Sequence, residues 1–128
     1  MARRKLSPFN EDIKQRYISL KMKEAQEKGI SNKDDAIKDY NGYIFGMSRI
    51  MEDVSRHDVC SFTKEEILRM YFSFFLTDKN ELLRLNRLYK EYTDWAIRET
   101  DLTDGVNHFT EVNEEDLSRF VCINVGDM

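Results

Sequence analysis

The chain has 128 residues, 24 acidic and 20 basic side chains, and a formal net charge of −4. That is the size of one domain and too short for a multidomain enzyme, though it fits one domain of a longer protein. Hydrophobic residues at 41% and aromatics at 12% exclude a disordered chain. The longest apolar run, residues 71–76, is far short of the roughly 20 residues of a membrane span. Met1-Ala2-Arg3-Arg4-Lys5 leads into no apolar run, so a secretory signal is not expected. Cys60 and Cys122 make no disulfide framework, and the cytoplasm of a bacterial or phage-infected cell is the expected compartment.

Apolar spacing is helical almost throughout, and a single proline with five glycines leaves few tight turns. A first helix is expected from the Ser7 cap and Pro8, with Phe9, Ile13, Tyr17 and Leu20 on one face and a stop at Lys28-Gly29. A second should begin at Ser31 or Asn32, where Ser31 and Asp34 approximate a capping box. Its inner face reads Ile37, Tyr40, Tyr43, Ile44, Met47, Ile50, Met51 and Val54, and it should end at Arg56-His57-Asp58. Gly42 and Gly46, four apart inside it, would let a neighbouring helix approach or the helix bend.

Thr63 and Glu66 form a T-x-x-E capping box with Phe62 as a hydrophobic staple. The third helix should carry a wide stripe of Ile67, Leu68, Tyr71, Phe72, Phe75 and Leu76. A fourth, from Thr77-Asp78 to about Glu99, has Leu82, Leu85, Leu88, Tyr89, Tyr92, Trp95 and Ala96 inside. Residues 100–110 read as a loop, and a short fifth helix should start at Asn113, with Leu117, Phe120 and Val121 on its apolar side. Val121 to Val125 is the one strand candidate.

Charge is segregated along the chain: residues 1–28 carry +4, residues 29–60 carry −2, residues 61–99 are neutral and residues 100–128 carry −6. Little in the pattern suggests catalysis. His57 and Cys60 have H-x-x-C spacing, but His108 and Cys122 are 14 residues apart, unlike the paired close ligands of zinc sites, so no metal is expected. No phosphate loop and no G-x-S-x-G occurs. Glu114-Glu115-Asp116 suits a first helical turn. Tyr89, Tyr92 and Trp95 read as a core seam rather than a base-stacking platform, which would want aromatics exposed beside cations. The outward side of the same helix carries Lys79, Asn80, Arg84, Asn86, Arg87 and Lys90, diluted by Glu81, Glu91 and Asp94. Arg3-Arg4-Lys5 is a basic arm of the kind that reaches nucleic acid.

From Phe62 to Val121, about half the chain, the order of elements resembles the N-terminal core-binding (SAM-like) domain of tyrosine recombinases and phage integrases. The capped helix gives way to the polar break Thr77-Asp78-Lys79-Asn80, and the long helix ends in Tyr92-Thr93-Asp94-Trp95. After a loop comes the phrase Phe109-Thr110-Glu111-Val112-Asn113-Glu114-Glu115-Asp116-Leu117-Ser118-Arg119-Phe120, which follows the family's pattern nearly position by position. The resemblance implies an all-α bundle of about five helices that clamps duplex DNA. Residues 1–60 would be an N-terminal helical extension packed on a core-binding part at 61–128, the whole making one compact domain.

Carried over, the family's DNA-facing surface falls on Lys79, Asn80, Arg84, Arg87 and Lys90, with Arg3, Arg4 and Lys5 as an added arm. The chain departs from the family in having Asn80-Glu81 where Ser, Thr or Arg is usual, and in its negative charge, since phosphate affinity needs clustered cations. The family's catalytic H-x-x-R is not matched, because His57 precedes Asp58-Val59-Cys60 and His108 precedes Phe109-Thr110-Glu111. The expectation is therefore a DNA-binding module without catalytic residues or cofactors. It would be part of an integrase or a non-catalytic, recombinase-fold phage repressor, with double-stranded DNA and a further C-terminal domain or a protein as partners. The rival is a small helical protein-interaction adaptor or phage accessory protein, using a groove of Tyr40, Tyr43, Met47 and Met51. An exposed patch there, with the fourth-helix arginines locked in internal pairs, would favour the rival. Arg84, Arg87 and Lys90 together on an open surface would favour DNA.

Overall fold

Helix-start chemistry at Ser7, Thr63 and Asp78 sets the frame. The computed structural model describes residues 5–29, 33–74, 78–100, 102 and 105–118, and every regular element among them is helical. They form α1 (Pro8–Glu27), α2 (Lys33–Asp53), α3 (Lys64–Ser73) and α4 (Lys79–Glu99), with short 3-10 turns at Val59–Ser61 and His108–Glu111. The chain divides into two units, Met1–Asp58 and Val59–Met128.

In the first unit, the Ser7 side chain accepts from the Asn10 backbone N–H, and Pro8 sits in the first turn. The Glu52 carboxylate accepts from the Ser7 N–H at 3.1 Å and from Asn10 Nδ2 at 2.5 Å. Asn10 Nδ2 also donates to the His57 carbonyl at 2.8 Å, and Phe9 stacks on His57 with ring centres 4.5 Å apart. The α1 start is thereby tied to the segment after α2, which makes a buried asparagine tolerable. Ile13 and Tyr17 are buried as expected, while Leu20 is only half-buried. Lys28 caps α1 and Gly29 takes φ +68°, where glycine has no Cβ penalty.

α2 stops at Asp53, short of the expected Arg56-His57-Asp58, and Ser55 turns the chain with φ 65°. Val54 and Tyr43, placed on the inner face by spacing, are 45% and 38% exposed. A Cβ on Gly42 or Gly46 would meet nothing within 4 Å, so these glycines mark no close helix approach. The Ser31 and Asn32 start lies outside the described residues.

In the second unit the Thr63–Glu66 capping box forms in both directions: the Glu66 N–H donates to Thr63 Oγ1 at 3.3 Å, and the Thr63 N–H donates to Glu66 Oε1 at 3.0 Å. Phe62 and Ile67 are fully buried, as a staple requires. The stripe on α3 is narrower than expected: Ile67, Met70 and Tyr71 are buried, but Phe72 is 46% exposed. The helix stops at Ser73, and Phe75 and Leu76 lie outside the described residues.

α4 follows the Asp78 cap and runs to Glu99 as expected, with Leu82, Leu85, Tyr89, Tyr92, Trp95 and Ala96 buried. Phe109 completes this core, with ring centres 5.5 Å from Tyr89 and 6.3 Å from Phe62. Phe109 belongs to the His108–Glu111 turn, which replaces the end of the expected loop. Asn113 and Asp116 cap each other through 3.1 Å and 2.9 Å bonds at the start of a last helical stretch from Glu114 to Ser118. Its Leu117 is fully buried. Phe120 and the strand candidate Val121 to Val125 lie outside the described residues.

Candidate nucleic-acid interface

A helix of 21 residues is about 30 Å long, so the outward side of α4 is a long ridge. Residues three and four apart stack along it: Asn80, Arg84, Arg87, Glu91 and Arg98 are all exposed, with Lys90 beside them. Arg98 is not among the cations expected at this surface, although its offset of 14 residues from Arg84 puts both on one face.

The cations on this ridge are not equivalent. Arg84 Nη2 lies 2.8 Å from Glu81 Oε2, an i,i+3 pair with side chains 64% and 44% exposed. Lys79 Nζ lies 2.8 Å from Glu114 Oε1. The Lys79 hydrogen bond, then its charge, holds the Glu114 carboxyl below its usual value. Arg87, Lys90 and Arg98 form no ion pair among the described residues. Asp94, an acidic neighbour, accepts from Asn107 Nδ2 at 2.7 Å, and the same amide donates to the Lys90 carbonyl at 2.9 Å. Asn80 is exposed in the first turn, its N–H donating to Asp78 Oδ1 at 2.9 Å.

Asn86 does not belong to the outward set. It is 9% exposed, accepts from the Tyr71 hydroxyl at 2.7 Å and donates to the Phe109 carbonyl at 3.2 Å. Two residues on a helix turn about 200°, so Asn86 points away from Arg84. Burial, then the proximity of Tyr89, pushes the Tyr71 hydroxyl above its usual value, so it stays protonated as the donor. Tyr89, Tyr92 and Trp95 are buried and offer no exposed stacking platform. Arg3 and Arg4 lie outside the described residues; Lys5 is exposed.

Among the described residues no three His, Cys, Asp or Glu side chains converge as metal ligands. His57 stacks on Phe9, and His108 Nδ1 lies 2.6 Å from Glu111 Oε2. Cys60 forms no disulfide among the described residues and is half-buried, and Cys122 lies outside them. Of the rival's groove, Met47 and Met51 are fully buried, Tyr40 is half-buried and only Tyr43 is exposed. No described helix is long and apolar enough to cross a membrane.

A helical chain with a long, cation-bearing outer helix fits a core-binding module, and comparison with known families agrees. The chain belongs to the family of MrpR N-terminal core-binding domains, whose model matches residues 8–99. Such domains belong to recombinase-like and phage-integrase-like proteins. The match takes in α1 and α2 as well as α3 and α4. No curated protein and no solved structure matches the chain.

Proposed function

We propose that the chain is a non-catalytic, double-stranded-DNA-binding module that grips the duplex mainly through its phosphates, in the manner of a recombinase-fold phage repressor. The family match across residues 8–99 carries this reading, because it includes the whole of α4. Arg87 and Lys90 on the open side of α4, with Arg84 beside them, would supply phosphate contacts; Lys79, Asn80 and the arm Arg3, Arg4 and Lys5 would extend the footprint. Contacts of this kind position a protein on DNA and carry little sequence readout. Without H-x-x-R in this chain, strand cleavage is not part of its role. A protein-interaction adaptor draws on the internal pairing of Lys79 and Arg84, but burial of Met47 and Met51 counts against the groove it would use.

The test is fluorescence anisotropy of a labelled duplex across a salt series, wild type beside Arg84→Ala/Arg87→Ala. Affinity should fall with salt, and the double variant should lose about two from the log–log slope. Equal slopes would remove α4 from the interface. No binding at low salt would reject the isolated DNA module and leave a module that needs a further domain or a protein partner.

A further inference from the structure

α4 leaves the basic residues of the first unit unexplained. Between α1 and α2 lies a half-open groove of about 700 Å³, whose lining includes Lys5, Glu11, Lys14, Asn41, Phe45 and Arg49. Three cations thus face one carboxylate. That carboxylate is already engaged within α1: Gln15 Nε2 donates to Glu11 Oε2 at 2.7 Å, and Lys14 Nζ lies 3.2 Å from the same oxygen. Lys14 is 5% exposed, with its ammonium 5.1 Å from the Phe45 ring centre. Its charge is therefore balanced by Glu11 and by the ring face.

The remaining positive charge is that of Lys5 and Arg49, which form no ion pair among the described residues. The Asn41 amide adds an uncharged donor to the same lining. Lys5 also continues the basic run Arg3-Arg4. A groove with two cations unpaired among the described residues and a neutral donor suits a singly charged group with several acceptor oxygens.

We propose that this groove is a second DNA contact, in which Lys5 and Arg49 hold a backbone phosphate. The inference rests on the DNA-binding reading but uses a different unit and different residues from the α4 ridge. A phosphodiester there would recruit the first helix pair to the duplex and make the basic N-terminus part of the footprint.

The experiment compares the wild-type chain with Arg49→Ala, Lys5→Ala and Arg49→Lys in the same anisotropy salt series, with circular dichroism as a check on folding. Each phosphate contact contributes about 0.9 to the slope, so losing one weakens binding about eightfold at 0.1 M salt. Arg49→Ala and Lys5→Ala should each approach that loss, and Arg49→Lys should keep most of the slope. If the wild type binds DNA and both alanine variants keep its affinity and slope, the groove assignment is overturned while the DNA reading stands. If Arg49→Lys is as weak as Arg49→Ala with Lys5→Ala unaffected, arginine acts through packing and the assignment is again overturned. Absence of wild-type binding rejects both readings together.

Discussion

Replacing Asn86 with leucine should destabilise the second unit by about 2–6 kcal/mol. The side chain joins three elements: it accepts from Tyr71 on α3 and donates to the Phe109 carbonyl of the 3-10 turn, from its place on α4. Tyr71 and Phe109 are 1% and 0% exposed, so water cannot replace the lost partner. Leucine keeps the branched shape but is bulkier, and the Phe109 carbonyl still accepts from the Val112 N–H at 3.3 Å, so the cost is the stranded hydroxyl, about 1–3 kcal/mol, plus overpacking of about the same size. Tyr71→Phe removes the stranded hydroxyl beforehand. Asn86→Leu on that background should therefore cost about 1–3 kcal/mol less than on the wild type. Urea unfolding followed by the fluorescence of Trp95, which is buried in the same unit, reads the difference. Stability of Asn86→Leu within about 0.5 kcal/mol of wild type, or strict additivity in the double variant, would refute the account of the network.

Gly105→Ala should destabilise the same unit by about 1–3 kcal/mol, because the new Cβ would meet Cys60 Sγ and stand 2.9 Å from Cys60 Cβ and 3.0 Å from the Leu102 carbonyl. Urea midpoints should show Cys60→Ala recovering part of that loss in the double variant. Glu11 carries a pH effect: the hydrogen bond from Gln15, then Lys14, holds its carboxyl below the usual value against the opposing effect of burial. A carboxyl with a lowered folded-state value adds stability above its unfolded value and loses it as pH falls through the folded one. Melting curves of wild type and Glu11→Gln should therefore differ at neutral pH and converge on acidification.

Local chemistry made much of this fold legible. The caps at Ser7, Thr63 and Asp78, the stop at Gly29 and the Asn113–Asp116 pair depend on residues within a few positions of one another, and the sequence displays them directly. The inner face of α4 was equally plain, because Leu, Tyr and Trp recur over about four turns, from Leu82 to Trp95. Polarity alone puts Asn86 on the outward side, whereas a helical wheel puts it opposite Arg84. Phe72 and Val54 erred the other way, since an apolar side chain at a helix end finds fewer neighbours to cover it. The cations of α4 could be found by spacing alone. Glu81, three before Arg84, could be found the same way, but the partner of Lys79 could not, since Glu114 meets it across 35 positions. The α1–α2 groove was invisible for the same reason: Lys5, Lys14 and Arg49 come together only when the two helices pack.

The pairing of Lys79 also bears on how a chain of net charge −4 would hold DNA. Net charge acts through distance, and at 0.1 M salt the screening length is about 10 Å, so the charges near the ridge matter most. Two acidic residues of the C-terminal segment are turned onto cations of their own unit: Glu114 onto Lys79 at 2.8 Å and Asp116 onto Lys64 at 3.2 Å. The first of these pairs leaves the α4 ridge less positive than its sequence reads, and Lys79 a weaker phosphate ligand than Arg87 or Lys90. Glu114→Gln removes the negative charge and releases the ammonium at an exposed position, where folding should be little affected. If Lys79 lies within reach of the duplex, the variant should gain about one phosphate contact, which is up to about eightfold tighter binding at 0.1 M salt and a steeper slope. Lys79→Ala on that background should cancel the gain. A Glu114→Gln variant with wild-type affinity and slope would place the DNA further along α4, towards Arg87, Lys90 and Arg98, and remove Lys79 from the footprint.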